Sequence, residues 1–189
     1  MPLTPPGLTG VLIPSLAASL MLGTAMPQLA QGVAFGTTFW ATQGAVVTSV
    51  DVGTLGVGAG AVPLIVPQPL ILANLLVAFA ANGMLGPMAP LEATGLSVGL
   101  SLGLAEALIT TIHPTVGAGA GVVKISGTAI PSMIAGFAAA GMKGPSATQQ
   151  ATAIGMAFDL TFAVFVLPTP ILGPPSIVPS AGVGTGKIV

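Results

Sequence analysis

The chain of 189 residues has no cysteine, no arginine and no tyrosine, and it carries only three lysines, four acids and one histidine. Each absence removes a class of function. Without cysteine there is no disulfide, no thiolate metal site and no cysteine nucleophile. With a net charge of −1 and no basic stripe, nothing can neutralise a run of phosphates, so a nucleic-acid partner is excluded. Charged residues make up 4% of the chain, against about a quarter in an ordinary soluble domain. Residues 1–50 and 52–91 contain no ionisable side chain at all. Most of a lone monomer's surface must therefore be apolar or neutral, and such a surface tends to be covered. The first segment lacks a basic flank and holds Pro2, Pro5 and Pro6, so no cleavable signal is expected.

Glycine, proline and aliphatic residues fill the space left, with 27 Gly, 18 Pro and a mean hydropathy of +1.02. They are not scattered. The run Gly83-Met84-Leu85-Gly86-Pro87 returns as Gly141-Met142-Lys143-Gly144-Pro145, and Gly23 to Pro27 keeps the spacing in a degenerate form. A second marker of alternating glycines stands at Gly56/Gly58/Gly60, Gly117/Gly119/Gly121 and Gly182/Gly184/Gly186. Both advance by roughly sixty residues, the signature of an internal repeat. The flanks agree: residues 112–117 align without a gap on 177–182, and 9–15 resemble 126–132.

Each unit reads as a short apolar helix, a Gly-Pro turn, a longer second helix and an extended stretch ending at the glycine marker. First helices are expected over 70–82 and 132–140, and second helices over 27–48, 87–112 and 145–166. Gly83 and Gly141 suit a left-handed helix cap, while Pro87 and Pro145 suit the first turn of the next helix. Small residues at four-residue spacing, Gly32/Gly36 and Gly95/Gly99/Gly103, predict close helix contacts. The β-branched runs at 62–67 and 122–125 predict short strands. Alternate glycines would leave one strand face bare for a backbone, helix or ligand.

The expected fold is therefore mainly α with short extended or β segments. It comprises three pseudo-repeated helical-hairpin units, 1–66, 67–126 and 127–189, around a pseudo-threefold axis. The third unit is completed by residues 8–15 of the same or a neighbouring chain. Gly10, Ile13 and Pro14 on one side, and Lys187, Ile188 and Val189 on the other, are the expected closure residues. Gly23, Pro27, Gly83, Pro87, Gly141 and Pro145 are the expected repeat turns.

No set of residues supports catalysis. Gly184-Thr185-Gly186-Lys187 resembles the end of a phosphate loop, but the corresponding Gly119-Ala120-Gly121-Val122 lacks the lysine. His113 falls where the other units carry Val52 and Val178, which favours packing over ligation. Glu106 and Asp159 are costly acids on apolar helices, and pairing with Lys124, Lys143 or Lys187 across an interface is the expected remedy. Gln31, Glu92 and Gln150 are read as first-turn caps. Neither metal nor cofactor is expected. A bilayer span needs about twenty apolar residues, which only the second helices approach, and there is no aromatic belt or consistent lysine asymmetry. The expected role is a non-enzymatic structural subunit of a virion, phage tail or contractile injection particle, partnered by its own copies and other structural proteins. An integral membrane hairpin protein, a channel or carrier, is the alternative.

Overall fold

The computed structural model describes residues 4–42, 46–52, 57–61, 68–105, 108–115, 118–124, 129–162, 165–169 and 181–187. They are mainly helical, with short strands, in the order helix, helix, strand, strand taken three times. The helices are α1 (Pro5–Ala18), α2 (Ala25–Thr42), α3 (Gln68–Ala81), α4 (Met88–Ala105), α5 (Ala129–Ala139) and α6 (Pro145–Phe162). The strands are β1 (Val46–Val52), β2 (Val57–Ala61), β3 (Leu108–Thr115), β4 (Ala118–Lys124), β5 (Phe165–Thr169) and β6 (Ala181–Lys187). The helices form a closed ring in which each packs on the next and α6 returns to α1.

The hairpin turns follow from backbone chemistry. After α3, the N–H of Gly83 donates to the Ala80 carbonyl and that of Met84 to Phe79. After α5, Gly141 donates to Ala138 and Met142 to Phe137. This pair of bonds satisfies the last helical carbonyls and needs a left-handed residue, which glycine supplies at φ 77° and 80°. The same bonds close α1, from Leu20 to Ala17 and from Met21 to Leu16, and here the left-handed residue is Leu20, at φ 61°. The sequence comparison had set Gly23 opposite Gly83; in the structure Leu20 takes that place and Gly23 corresponds to Gly86 and Gly144. Met21-Leu22-Gly23 repeats Met84-Leu85-Gly86 residue for residue, the signal that the matching Pro27 and Pro87 spacing obscured. Pro14 and Pro131 likewise differ: Pro14 lies one helical turn closer to its hairpin turn. A shift of one turn preserves the apolar face, so sequence matching does not detect it.

Glycines set the spacing between hairpins. A Cβ on Gly136 of α5 would stand 2.5 Å from the Gly99 nitrogen and 2.8 Å from its Cα, on α4. On Gly95 it would stand 2.8 Å from the Phe137 ring, and on Gly32 of α2 it would meet the Phe79 ring of α3. Small residues thus admit the large ones of the next hairpin, and Phe79, Phe137, Leu75 and Met133 are fully buried there. Around them lies one apolar core containing Leu12, Leu16, Val33, Leu96, Leu100, Ile154 and Phe158.

The second helices end earlier than the sequence pattern suggests. Residues 46–52, 108–115 and 165–169 were expected at or beyond the ends of helices, but they form β1, β3 and β5. Runs such as Val46-Val47-Thr48 and Ile109-Thr110-Thr111-Ile112 are β-branched, and strand partners for them exist only in the folded chain. The six strands make one antiparallel sheet in the order β5-β4-β3-β2-β1-β6. By register, Gly58, Gly60, Gly119, Gly121, Gly182, Gly184 and Gly186 share one face. Pro168 lies on the edge strand β5, and Pro114 at a register shift in β3, where a missing N–H is tolerated. The strand expected over 62–67 lies outside the described residues.

Two substitutions test the packing. Gly136→Ala is expected to cost about 1–3 kcal/mol, because the obstructing atoms are backbone. Gly10→Ala, whose Cβ would meet nothing within 4 Å, should gain up to about 1 kcal/mol from helix propensity. Urea melts of both variants check this. Leu20→Gly should relieve the left-handed strain and stabilise by roughly 1 kcal/mol, a rise of about 2–4 °C in Tm by calorimetry.

Candidate functional site

The three hairpin turns lie at one end of the helical ring. Leu20 and Ser19 of the first turn share a surface hollow with Thr148 and Gln149 of α6. The Gln28 side chain lies beside Gly83. At the same end, the Gln150 side-chain N–H of α6 donates to Glu92 Oε1 of α4 at 3.2 Å. This end is apolar: Leu22 is 75% exposed and Leu85 81%, and Leu20, Met88 and Leu91 are also exposed. Lys143 is the one cation there among the described residues.

Glu92 is the chemically unusual member. Its side chain is half-buried, and its Oε2 is fully buried without a hydrogen-bond partner among the described residues. Burial pushes its carboxyl above the ordinary carboxylate range, while the hydrogen bond from Gln150 pulls the other way. Gln150 is itself 5% exposed. The sequence reading gave Glu92, Gln150 and Gln31 separate capping roles; the structure instead joins the first two to each other. Their common distance from Gly83 and Gly141 was legible, and Leu29 stands equally far from Leu20.

The other expected site residues are dispersed. Gly10 and Pro14 are exposed on α1, and Ile13 is partly buried against the core. Lys187 ends β6 opposite Val46, whereas Ile188 and Val189 lie outside the described residues. Pro27 is in the first turn of α2, Pro87 immediately precedes α4 and Pro145 opens α6. Glu106 lies outside the described residues. Asp159 accepts from the Ala129 N–H at 3.3 Å, so this acid ties α6 to the start of α5 within the chain. His113 adjoins the irregularity in β3, and Asp51 is opposite Gly58 and Gly182 in the sheet. Among the described residues no group of His, Asp and Glu is placed to hold a metal ion.

Two further apolar features belong to the helices. An open groove of about 320 Å³ is walled by Phe35 and Phe39 of α2 and Val77 of α3. Among the described residues, α4 alone is long and apolar enough to cross a membrane; 44% of it is buried inside the fold. Comparison with known protein families, curated proteins and solved structures finds no match for the chain.

The Glu92 environment predicts a pH effect of definite sign. A carboxyl whose folded pKa is raised holds its proton longer in the folded than in the unfolded chain. Its contribution to stability is therefore lost as pH rises from its ordinary value of 4.5 through the raised folded value. Glu92→Gln should flatten this part of the pH profile and raise Tm at neutral pH, measured by circular dichroism melts across the range.

Proposed function

We propose that the chain is a non-enzymatic structural subunit of a large multi-subunit assembly, of the kind found in virions and in phage tails or contractile injection devices. Its three units, 1–66, 67–126 and 127–189, make a pseudo-threefold ring, and its partners are copies of itself and other structural proteins. The observation that carries this reading is the apolar hairpin-turn end. Leu22 and Leu85 protrude from corresponding places in two turns, with Leu20, Met88 and Leu91 beside them. At about 25 cal/mol per Å², covering such a surface is a strong drive to associate. Almost no charge opposes it.

The pseudo-threefold element is supported by matching layers. Val33, Leu96 and Ile154 stand equally far from Leu20, Gly83 and Gly141, and all three are fully buried. One turn further, Thr37, Leu100 and Phe158 form another buried set. Such a part fits a threefold neighbour, which is an argument from symmetry. The packing of α6 on α1 and the pairing of β6 with β1 within one chain support closure without a neighbour. The second reading, a membrane-embedded channel or carrier, is favoured by the apolar length of α4.

Fractionation of the native source on a density gradient, with and without detergent, separates the two. Sedimentation in a detergent-resistant particle is expected; flotation with lipid and release by detergent would overturn the structural reading. In the same assay, Leu22→Asp combined with Leu85→Asp should reduce incorporation into the particle by at least tenfold while leaving the melting of the isolated chain unchanged. Both side chains are already solvent-facing, so the fold loses little.

A further inference from the structure

We propose that the open groove on the α2–α3 side of the helical ring receives the apolar ridge of α6 from a second copy of this chain. The proposal deepens the assembly reading above and rests on it, and it places a self-contact on the side wall of the ring, apart from the turn end. The groove is open to solvent and holds about 320 Å³. Its walls, Phe35 and Phe39 of α2 and Val77 of α3, are 48%, 60% and 71% exposed. Leu70, two helical turns before Val77, is exposed on the same stripe of α3. Together these side chains leave on the order of 300 Å² of apolar surface in water, the size at which such a patch marks an interaction site.

The occupant is present on the same chain. Counted from the hairpin turn, the places of Phe35 and Phe39 are held on α6 by Met156 and Leu160, which are 40% and 59% exposed. They lie one helical turn apart on one face, the spacing by which a helix anchors itself in an apolar groove. At the seam where α6 packs on α1, Pro14 takes the place of Val77, and a Cβ on Gly10 would meet nothing within 4 Å. Small residues of α1 thus raise no opposite wall, and Met156 and Leu160 form a ridge where α2 and α3 form a trough. On α4 the same places hold Val98 and Leu102, and Val98 is half-buried, so α6 carries the fuller ridge. Charge permits the contact: α1, α2 and α3 contain no ionisable residue, and Asp159, the one in α6, accepts from the Ala129 N–H at the start of α5. Groove and ridge lie on different seams of the ring, so the contact joins unlike faces. Each copy then keeps a groove or a ridge unfilled until a larger ring closes, and association does not stop at a dimer.

The chain has no cysteine, so introduced thiols have no native competitor. Full-length Val77→Cys and Met156→Cys variants are mixed in equal amounts and oxidised, and the intermolecular disulfides are measured by mass spectrometry. Both side chains are already solvent-facing, so the fold loses little. The disulfide joining position 77 to position 156 is expected at least tenfold above those joining either position to itself. Equal yields, or no disulfide, would overturn the proposal. Sedimentation velocity is then run on the full chain carrying Leu22→Asp and Leu85→Asp, which silence the turn end. Species larger than a dimer are expected, and Leu160→Asp added to this chain should weaken their formation at least tenfold. A monomer, a discrete dimer, or no effect of Leu160→Asp would overturn it as well. So would binding of the chain to phosphatidylcholine vesicles as a monomer, which would assign the groove to lipid. Should Leu160→Asp fail to fold, the disulfide yields still decide. A chain that stays monomeric alone yet sediments in the native particle would sink this contact and leave the assembly reading standing.

Discussion

The close approach of helices across small residues is the constraint on which the rest of the structure depends. Gly136 lies against the Gly99 backbone, with no room for a methyl group between them. Gly95 receives Phe137 and Gly32 receives Phe79, so a small-residue stripe on the second helix of one hairpin grips the first helix of the next. Ala153 and Ala157 of α6 occupy the corresponding places and are fully buried. The grip is what allows six short helices, each too weak to persist alone, to close into a ring. Because van der Waals contact and apolar burial hold the ring, it needs few charges, and the sequence contains few.

That economy has a consequence at the ends of the helices. In an ordinary soluble bundle the turns carry charge and solvate the ends. Here the same bonds that close the turns, from Met21, Met84 and Met142 to the preceding helix, leave Leu22 and Leu85 pointing away from the core. The methionines fold inward against the core while the leucines are left outside. One local motif therefore both terminates each hairpin and builds an apolar outer surface. Glu92, a half-buried acid, stands out against this neutral background because its burial is only partly compensated by Gln150.

Much of this was legible beforehand, and the failures share a cause. The αα-hairpins, the glycine caps at Gly83 and Gly141, and the close-packing glycines were readable, because each depends on a local property of the residue: left-handed φ, a missing Cβ, a fixed proline φ. The register of the first turn was not, because Leu20 accepts a conformation that its own chemistry disfavours, in a turn closed by the bonds from Leu20 to Ala17 and from Met21 to Leu16. The ends of the second helices were also misplaced. A β-branched segment after a helix can extend it or leave it, and the choice depends on whether a strand partner is present.

The sequence by itself determined the material of this protein: near-neutral, apolar and built of hairpins stopped by glycine and proline. These follow from composition and from backbone preferences that act within a few residues. Only the tertiary structure decided that Glu92 and Gln150 meet, that Asp159 holds the start of α5, and that the alternating glycines line one face of a six-stranded sheet. The physical reason is sequence separation. Each of those contacts joins residues from different elements, and a hydrogen bond or a strand ladder between distant segments exists only after the helices and strands have been brought together.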